Sequence, residues 1–138
     1  MGFSPNYWGR QAWHFIHMVA LSFPDEPTQE EKDRYYKFYE SLGYTLPCET
    51  CSKHYREKFQ KNPPNMENSE KLFRWTVDIH NSVNADNGKK QISYEKAKAE
   101  LQKNATGVYS DYLVTGVAVS VSIITMICLF GYSLRKRG

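Results

Sequence analysis

Residues 69–88 read SEKLFRWTVDIHNSVNADNG. Leu72, Trp75, Ile79 and Val83 recur three and four apart, the period of one helical face turned towards a core. Ser69 stands where an N-cap residue accepts a free backbone N–H, and Asn87-Gly88 closes the stretch as a helix end. His80 and Asn84 are one turn apart on that helix. Polar groups held on an inward face cost desolvation unless something bonds to them. A nucleotide would satisfy the pair; for Asn84, helix capping is the competing reading.

The same punctuation extends upstream. Ser4 reads as the cap of a first helix with Pro5 at its first position, where a missing N–H costs nothing. Ala12, Phe15, Ile16, Val19 and Ala20 form its apolar stripe, and Pro24 ends it. Thr28 with Glu31 is a capping box for a second helix whose face is Tyr35, Phe38, Tyr39 and Leu42, with Gly43 as its stop. Pro47 opens a third helix that runs to about Lys61 and ends at Asn62-Pro63-Pro64. Downstream, Ser93 caps a short fifth helix reaching about Lys103. Strand-like alternation is missing from residues 1–111, and no repeat is visible. Short connections imply antiparallel neighbours, so the expected fold is all-α: a four-helix bundle with a short fifth helix.

The chain has 138 residues, 41% hydrophobic and 24% charged, enough for one globular domain. Its net charge of +3 comes from Arg135, Lys136 and Arg137; residues 1–111 carry 15 bases and 15 acids. Such a balanced domain lacks the basic field that holds a phosphate backbone, so nucleic acid is not an expected partner. Three cysteines are too few for a disulfide-dense secreted scaffold.

From Tyr112 to Leu134 the chain is uncharged, YLVTGVAVSVSIITMICLFGYSL. As a helix this run spans about 34 Å, matching a hydrocarbon core of about 30 Å, with Tyr109, Tyr112 and Tyr132 at the interfaces. The expected organisation is a helical domain over 1–107, a transmembrane anchor over 108–134 and a basic tail over 135–138. Neither a signal peptide nor a myristoylation pattern stands at the N-terminus, so the anchor is C-terminal. The basic tail favours a domain outside the cytosol. A span reached only after the domain has been made favours a domain facing the cytosol, and that is the expectation. Asn104-Ala105-Thr106 is a glycosylation sequon whose use would reverse it.

Chemistry concentrates in Pro47-Cys48-Glu49-Thr50-Cys51. Two thiols three residues apart on a helical turn can close as a disulfide and reopen, and a helix N-terminus favours the reactive thiolate. His54 makes the stretch C-x2-C-x2-H, so half of a zinc site is the competing reading, but the second ligand pair is missing. Without a preceding strand, a thioredoxin-like domain does not fit. Trp13 and His17 share a face four residues apart, and either a core histidine or a ligand contact suits His17; His14 reads as a surface residue. A dithiol passing electrons to dioxygen needs a two-electron carrier, and a flavin in an aromatic slot between helices answers that need. No G-x-G-x-x-G is present, so a dinucleotide would be held without that fold.

Three motifs occur in order: Trp8-Gly9-Arg10 with Trp13 and His17; Pro47-Cys48-x-x-Cys51-x-x-His54; and His80-Asn81-x-Val83-Asn84 followed by Gly88-Lys89. Over Tyr7 to about Lys103 the sequence resembles the Erv/ALR family of FAD-linked sulfhydryl oxidases, in the short form found in large DNA viruses. The resemblance implies FAD at the mouth of a four-helix bundle, contacted by Arg10, Trp13, His17, His54, His80, Asn81, Val83, Asn84 and Lys89, with Tyr55 and Tyr94 as lesser candidates. It implies Cys51 as the flavin-proximal sulfur and Cys48 as the one attacked by incoming thiols, with electrons passing to dioxygen and hydrogen peroxide released. It also implies a homodimer through the first two helices; for the Tyr35–Leu42 stripe, core packing is the equal alternative.

Two departures stand out. Many relatives carry an extra cysteine pair on a flexible arm, whereas the third cysteine here, Cys128, lies in the expected span and reads as an apolar filler. The protein dithiol substrate, such as a small thioredoxin-like carrier, would then reach Cys48 directly. Asn87 and Lys90 stand where relatives often have Leu and Pro. Against the oxidase stand two other classes: a membrane-tethered zinc-binding helical adaptor, and a structural membrane protein with an incidental disulfide.

Overall fold

The computed structural model describes residues 3–103. Four helices follow in order: α1 (Pro5–Leu21), α2 (Gln29–Thr45), α3 (Glu49–Lys61) and α4 (Ser69–Asp86). The described residues contain no strand. The chain forms two compact units, Met1–Lys98 and Ala99–Gly138. In the first, a further helical segment opens at Tyr94; in the second, residues 99–103 are helical. The expected span over 112–134, the basic tail and the sequon lie outside the described residues. No described helix is long and apolar enough to cross a membrane.

Helix limits follow local chemistry. Thr28 and Glu31 close a reciprocal capping box, with the Thr28 N–H donating to the Glu31 carboxylate at 2.8 Å and the Glu31 N–H to Thr28 Oγ1 at 3.3 Å. These bonds hold the Glu31 carboxyl below its ordinary pKa. Ser93 caps the segment after it, its Oγ accepting from the Lys96 N–H at 3.2 Å. At the starts of α1 and α4 the caps differ from expectation. Ser4 precedes α1 but its side chain makes no capping bond; its carbonyl accepts from the Tyr7 N–H, and Pro5 removes one orphan donor. The cap of α4 is Asn68, whose Oδ1 accepts from the Lys71 N–H at 2.9 Å. That frees the Ser69 hydroxyl to donate to Asp25 at 2.6 Å, tying the α1–α2 loop to the head of α4.

α1 packs on α4 and α2 on α3, with α3 also touching α4. Tyr39, Leu72, Phe73, Thr76 and Val77 are fully enclosed. The α1 stripe is rotated from its expected position. His17 is buried with Ile16 and Ala20, whereas Phe15 is 54% exposed, its edge on the Phe38 ring. On α4, Asn84 takes the buried place, and Val83 is half-buried. Polar tips of buried aromatics sew the helices together. Tyr39 on α2 donates to the Ile16 carbonyl of α1, Tyr55 on α3 to the Tyr39 carbonyl, and Trp75 on α4 to the Asn62 carbonyl that ends α3.

Gly43 does not stop α2, which runs on to Thr45. It is buried where α2 crosses α3: a Cβ built there would stand 2.5 Å from Arg56 Cγ and 3.5 Å from the Tyr55 ring. Through that gap the Arg56 guanidinium donates to the Gly43 carbonyl and lies over the Tyr44 ring. Gly43→Ala therefore sets overpacking of about 1–3 kcal/mol against a helix-propensity gain of about 1 kcal/mol. The expected net result is a loss of about 1 kcal/mol, read as a lower denaturant midpoint of tryptophan emission. A raised midpoint would mean that Arg56 swings aside freely.

Candidate functional site

Cys48 and Cys51 are joined as a disulfide at the head of α3, with Cα atoms 5.2 Å apart. Cys48 is the N-cap residue, and its sulfur accepts from the Cys51 N–H at 3.2 Å. On reduction, the same N–H and the positive end of the helix would favour a thiolate there. Both cysteines are half-buried, so an incoming thiol can reach the pair. The approach to α3 is fixed from outside. The Phe3 N–H donates to the Pro47 carbonyl at 2.9 Å, and the Trp8 indole N–H donates to the Phe3 carbonyl at 3.1 Å.

A second assembly forms where α1 meets α4. The Trp13 and His80 rings stack 4.3 Å apart and only 7° from parallel. His17 lies between them and the core, its Nε2 3.1 Å from His80 Nδ1 and its Nδ1 2.9 Å from Thr76 Oγ1, with the Phe73 ring edge-on. Burial, reinforced by His80 and His14, pushes the His17 pKa down to about 3. Burial and the neighbouring Lys89 charge push His80 down to about 4. Both imidazoles are neutral at pH 7.

Asn84, one turn beyond His80, is 8% exposed, and among the described residues every enclosed side-chain N or O has a hydrogen-bond partner, so its amide is not an orphaned polar group. Its carbonyl is used: Lys89 N–H donates to Asn84 at 2.8 Å and Gly88 N–H to Ala85 at 3.1 Å, the pair of bonds that ends a helix on a left-handed residue. Gly88 supplies that residue with φ of 63°. This turn brings Lys89 within electrostatic reach of His80. Between α3 and α4 a groove of about 540 Å³ is lined by His54, Lys58, Lys61, Ile79, Ser82 and Asp86 among others. His54 is one turn below Cys51 on α3, so the groove begins one turn from the dithiol; its α4 wall, Asp78, Ile79, Ser82 and Asp86, is a different face of the helix from His80 and Asn84.

The remaining sequence candidates have other partners. The Asn81 amide both donates to the Ile92 carbonyl and accepts from its N–H, at 2.9 and 2.8 Å. The Tyr94 hydroxyl donates to Asp78 at 2.7 Å while Arg74 lies over its ring. Tyr55 is buried with its hydroxyl on Tyr39, and both His17 nitrogens are engaged. These four have protein partners, and Trp13, His80, Asn84, His54, Lys89 and Arg10 leave surface or charge for a ligand. Sequence reasoning missed Thr76, and also Lys58, which bonds Asp86 at 2.6 Å on the groove wall. Among the described residues no group of three or more His, Cys, Asp or Glu converges to hold a metal ion.

The depressed histidines set a pH dependence. Unfolded imidazoles bind protons near pH 6.5, whereas the folded pair binds them only near 4 and 3. Stability is complete above about pH 6.5 and falls as the pH drops towards 4. Between pH 6.5 and 5, above the carboxylate range, unfolding should take up close to two protons at the lower end. Melting temperatures across that window check this, and His80→Gln should reduce the slope by about half. A flat profile would show that the two rings titrate like exposed ones.

A sequence model of the Erv1 / Alr family matches residues 10–103. A probable FAD-linked sulfhydryl oxidase of Acanthamoeba polyphaga mimivirus is 43% identical over 106 residues, covering 75% of this chain and 74% of that protein. The mitochondrial FAD-linked sulfhydryl oxidase of Saccharomyces cerevisiae is 36% identical over 76 residues, 55% of this chain and 40% of that longer protein. The crystal structure of the FAD binding domain of Erv1 from the same yeast superposes with a TM-score of 0.68 at 28% identity, covering 73% of this chain and 96% of that one. The matched region contains the dithiol, the imidazole seam and the groove, and the chain belongs to the Erv1 / Alr family.

Proposed function

We propose that this chain is an FAD-linked sulfhydryl oxidase that makes disulfides in protein thiols. The observation that carries this reading is the Cys48–Cys51 disulfide at the head of α3, inside the family-matched region and beside the α3–α4 groove. The site chemistry suits FAD. Trp13 and His80 offer flat ring surface, Asn84 offers a side-chain amide, and Lys89 and Arg10 offer positive charge for an anionic dinucleotide. Val83 adds apolar contact, and His54 an imidazole on the groove wall.

Catalysis by this chain is thiol–disulfide exchange. A substrate thiolate attacks Cys48 Sγ, the Cys48–Cys51 bond breaks, and Cys51 leaves as thiolate. A second substrate thiol then displaces Cys48 from the mixed disulfide, so the substrate departs oxidised and the chain holds the electron pair as its dithiol. When bound, FAD supplies two-electron acceptance from the dithiol and delivery to dioxygen, which becomes hydrogen peroxide. The neutral state of His17 and His80 keeps the α1–α4 seam free of a buried imidazolium, with the Lys89 charge beside it.

The proposal extends to the setting. The uncharged run 112–134 anchors the enzyme in a host or virion membrane with its domain facing the cytosol. With no second cysteine pair, a protein dithiol, such as a thioredoxin-like carrier, docks at Cys48 itself. The exposed Phe15 and Met18 on α1 support a homodimer through the first two helices; full burial of Tyr39 assigns that part of the α2 stripe to the core.

The purified chain should be yellow, absorbing near about 450 nm, and should release one hydrogen peroxide per disulfide formed. Cys51→Ser should lower turnover at least a hundredfold while leaving the colour, and Cys48→Ser should do the same. A colourless preparation, or a Cys51→Ser variant that keeps consuming oxygen with a dithiol, would remove the assignment.

A further inference from the structure

Thr76 is fully enclosed on α4, one turn before His80, and none of the three motifs quoted above includes it. Its Oγ1 lies 2.6 Å from the Phe73 carbonyl and 2.9 Å from His17 Nδ1. A hydroxyl has one proton to give. A carbonyl only accepts, so at 2.6 Å that proton must point at Phe73; the alternative would press two bare oxygens together. Towards His17, Thr76 can then only accept, so His17 carries its proton on Nδ1.

The remaining protons follow in turn. A neutral imidazole has one N–H, so His17 Nε2 is an acceptor, and the group 3.1 Å from it, His80 Nδ1, must be the donor. His80 has then spent its proton inward. Its Nε2 is left as a bare lone pair, and no described group bonds to it. The near-parallel Trp13 ring holds the plane of His80, and Asn84 stands one turn further on.

We propose that Thr76 is a positioning residue that sets the proton order of the His17–His80 pair, so that His80 presents an acceptor nitrogen to an N–H or O–H donor of the bound flavin nucleotide. This rests on the oxidase reading for the ligand, but the proton order itself does not. Burial of both rings keeps them uncharged, which is the condition under which a single order is defined. Valine at 76 has the same shape and no oxygen. It would strand His17 Nδ1–H in the core, and the pair would reverse to escape that cost.

Long-range proton–nitrogen correlation spectra of the nitrogen-15-labelled chain at pH 7, with and without flavin, read the order directly. The wild-type chain should show His17 and His80 both protonated on Nδ1. Thr76→Val should move the His80 proton to Nε2 and weaken FAD binding about tenfold, the scale of one lost hydrogen bond in a site. Thr76→Ser, which keeps the hydroxyl, should restore both. A wild-type His80 protonated on Nε2 overturns the proposal without need of any variant, as does a Thr76→Val chain with unchanged proton positions or unchanged affinity. Failure to bind flavin at all would count against the oxidase reading, while the spectra of the flavin-free chain would still decide the proton order.

Discussion

An uncharged imidazole in the core at the α1–α4 seam is the constraint on which the rest of this site depends. His17 is 4% exposed, too enclosed to hold a charge cheaply and too polar to be left without partners. Both its nitrogens must be met, and they are met by one helix, through Thr76 and His80. Those two residues are four apart on α4, so the pair of bonds defines rotation and height of α4 against α1 together. A slip of one residue in either helix would strand an N–H or a lone pair in the core. The same lock presses Trp13 onto His80, so the aromatic surface offered to a ligand follows directly from how the bundle closes.

The dithiol is positioned by a different device. α2 and α3 are held by aromatic side chains whose bodies fill the core and whose polar tips must still find acceptors. Tyr39 reaches back to α1, Tyr55 reaches from α3 to α2, and Trp75 reaches from α4 to the end of α3. Each bond satisfies a tip and measures a distance between helices. Tyr55 is one turn beyond Cys51, so its anchoring sets the azimuth of the helix that carries the disulfide. Gly43 allows the closeness this requires, and the Phe3–Pro47 bond holds the entering chain on the other side. The thiol exchange proposed at Cys48 would thus take place on a helix head held from both sides.

Much of this was legible in the sequence because caps and stops are local. Thr28 with Glu31, Pro5, Asn62-Pro63-Pro64 and Asn87-Gly88 mark helix ends within four residues of themselves, and the observed limits fall there. Errors arose where packing outranked local preference. Gly43 reads as a stop, yet its small size serves a helix crossing that only the folded chain reveals. Phe15 reads as core and His17 as doubtful, because hydropathy ranks a phenyl ring above an imidazole; once paired and neutral, the imidazole is the better core residue. Ser69 and Asn68 are both competent caps, and only contact with Asp25 decides between them. Motif spacing places the cysteines, Trp13, His17 and His80 at one end of the problem, but it cannot distinguish a ligand contact from an internal clamp. Asn81 and Tyr94 find partners eleven and sixteen residues away, separations to which helical periodicity is blind. Thr76 carries no signal at all, since a threonine on an inward face looks like filler until α1 lies against it.

Asn87 and Lys90, where the family pattern often has Leu and Pro, raise the question of what holds the turn after α4 in place of a rigid proline. Five bonds answer it. The Asn87 side chain donates to the Val83 carbonyl at 2.7 Å, a helix-ending contact that leucine could not make. Gly88 turns the chain left-handed so that Lys89 N–H returns to Asn84. Asn81 then clamps both backbone groups of Ile92, and Tyr94 is fastened to Asp78 at the start of the following helical segment. With both ends of the segment 87–93 pinned to α4, the φ restriction of a proline at 90 would add little order. Lys89 keeps its place near His80 by this network, and its charge in turn helps to keep His80 unprotonated. The substitutions thus preserve what the site needs from this turn, a cation beside a neutral imidazole, by side-chain hydrogen bonds in place of backbone stiffness.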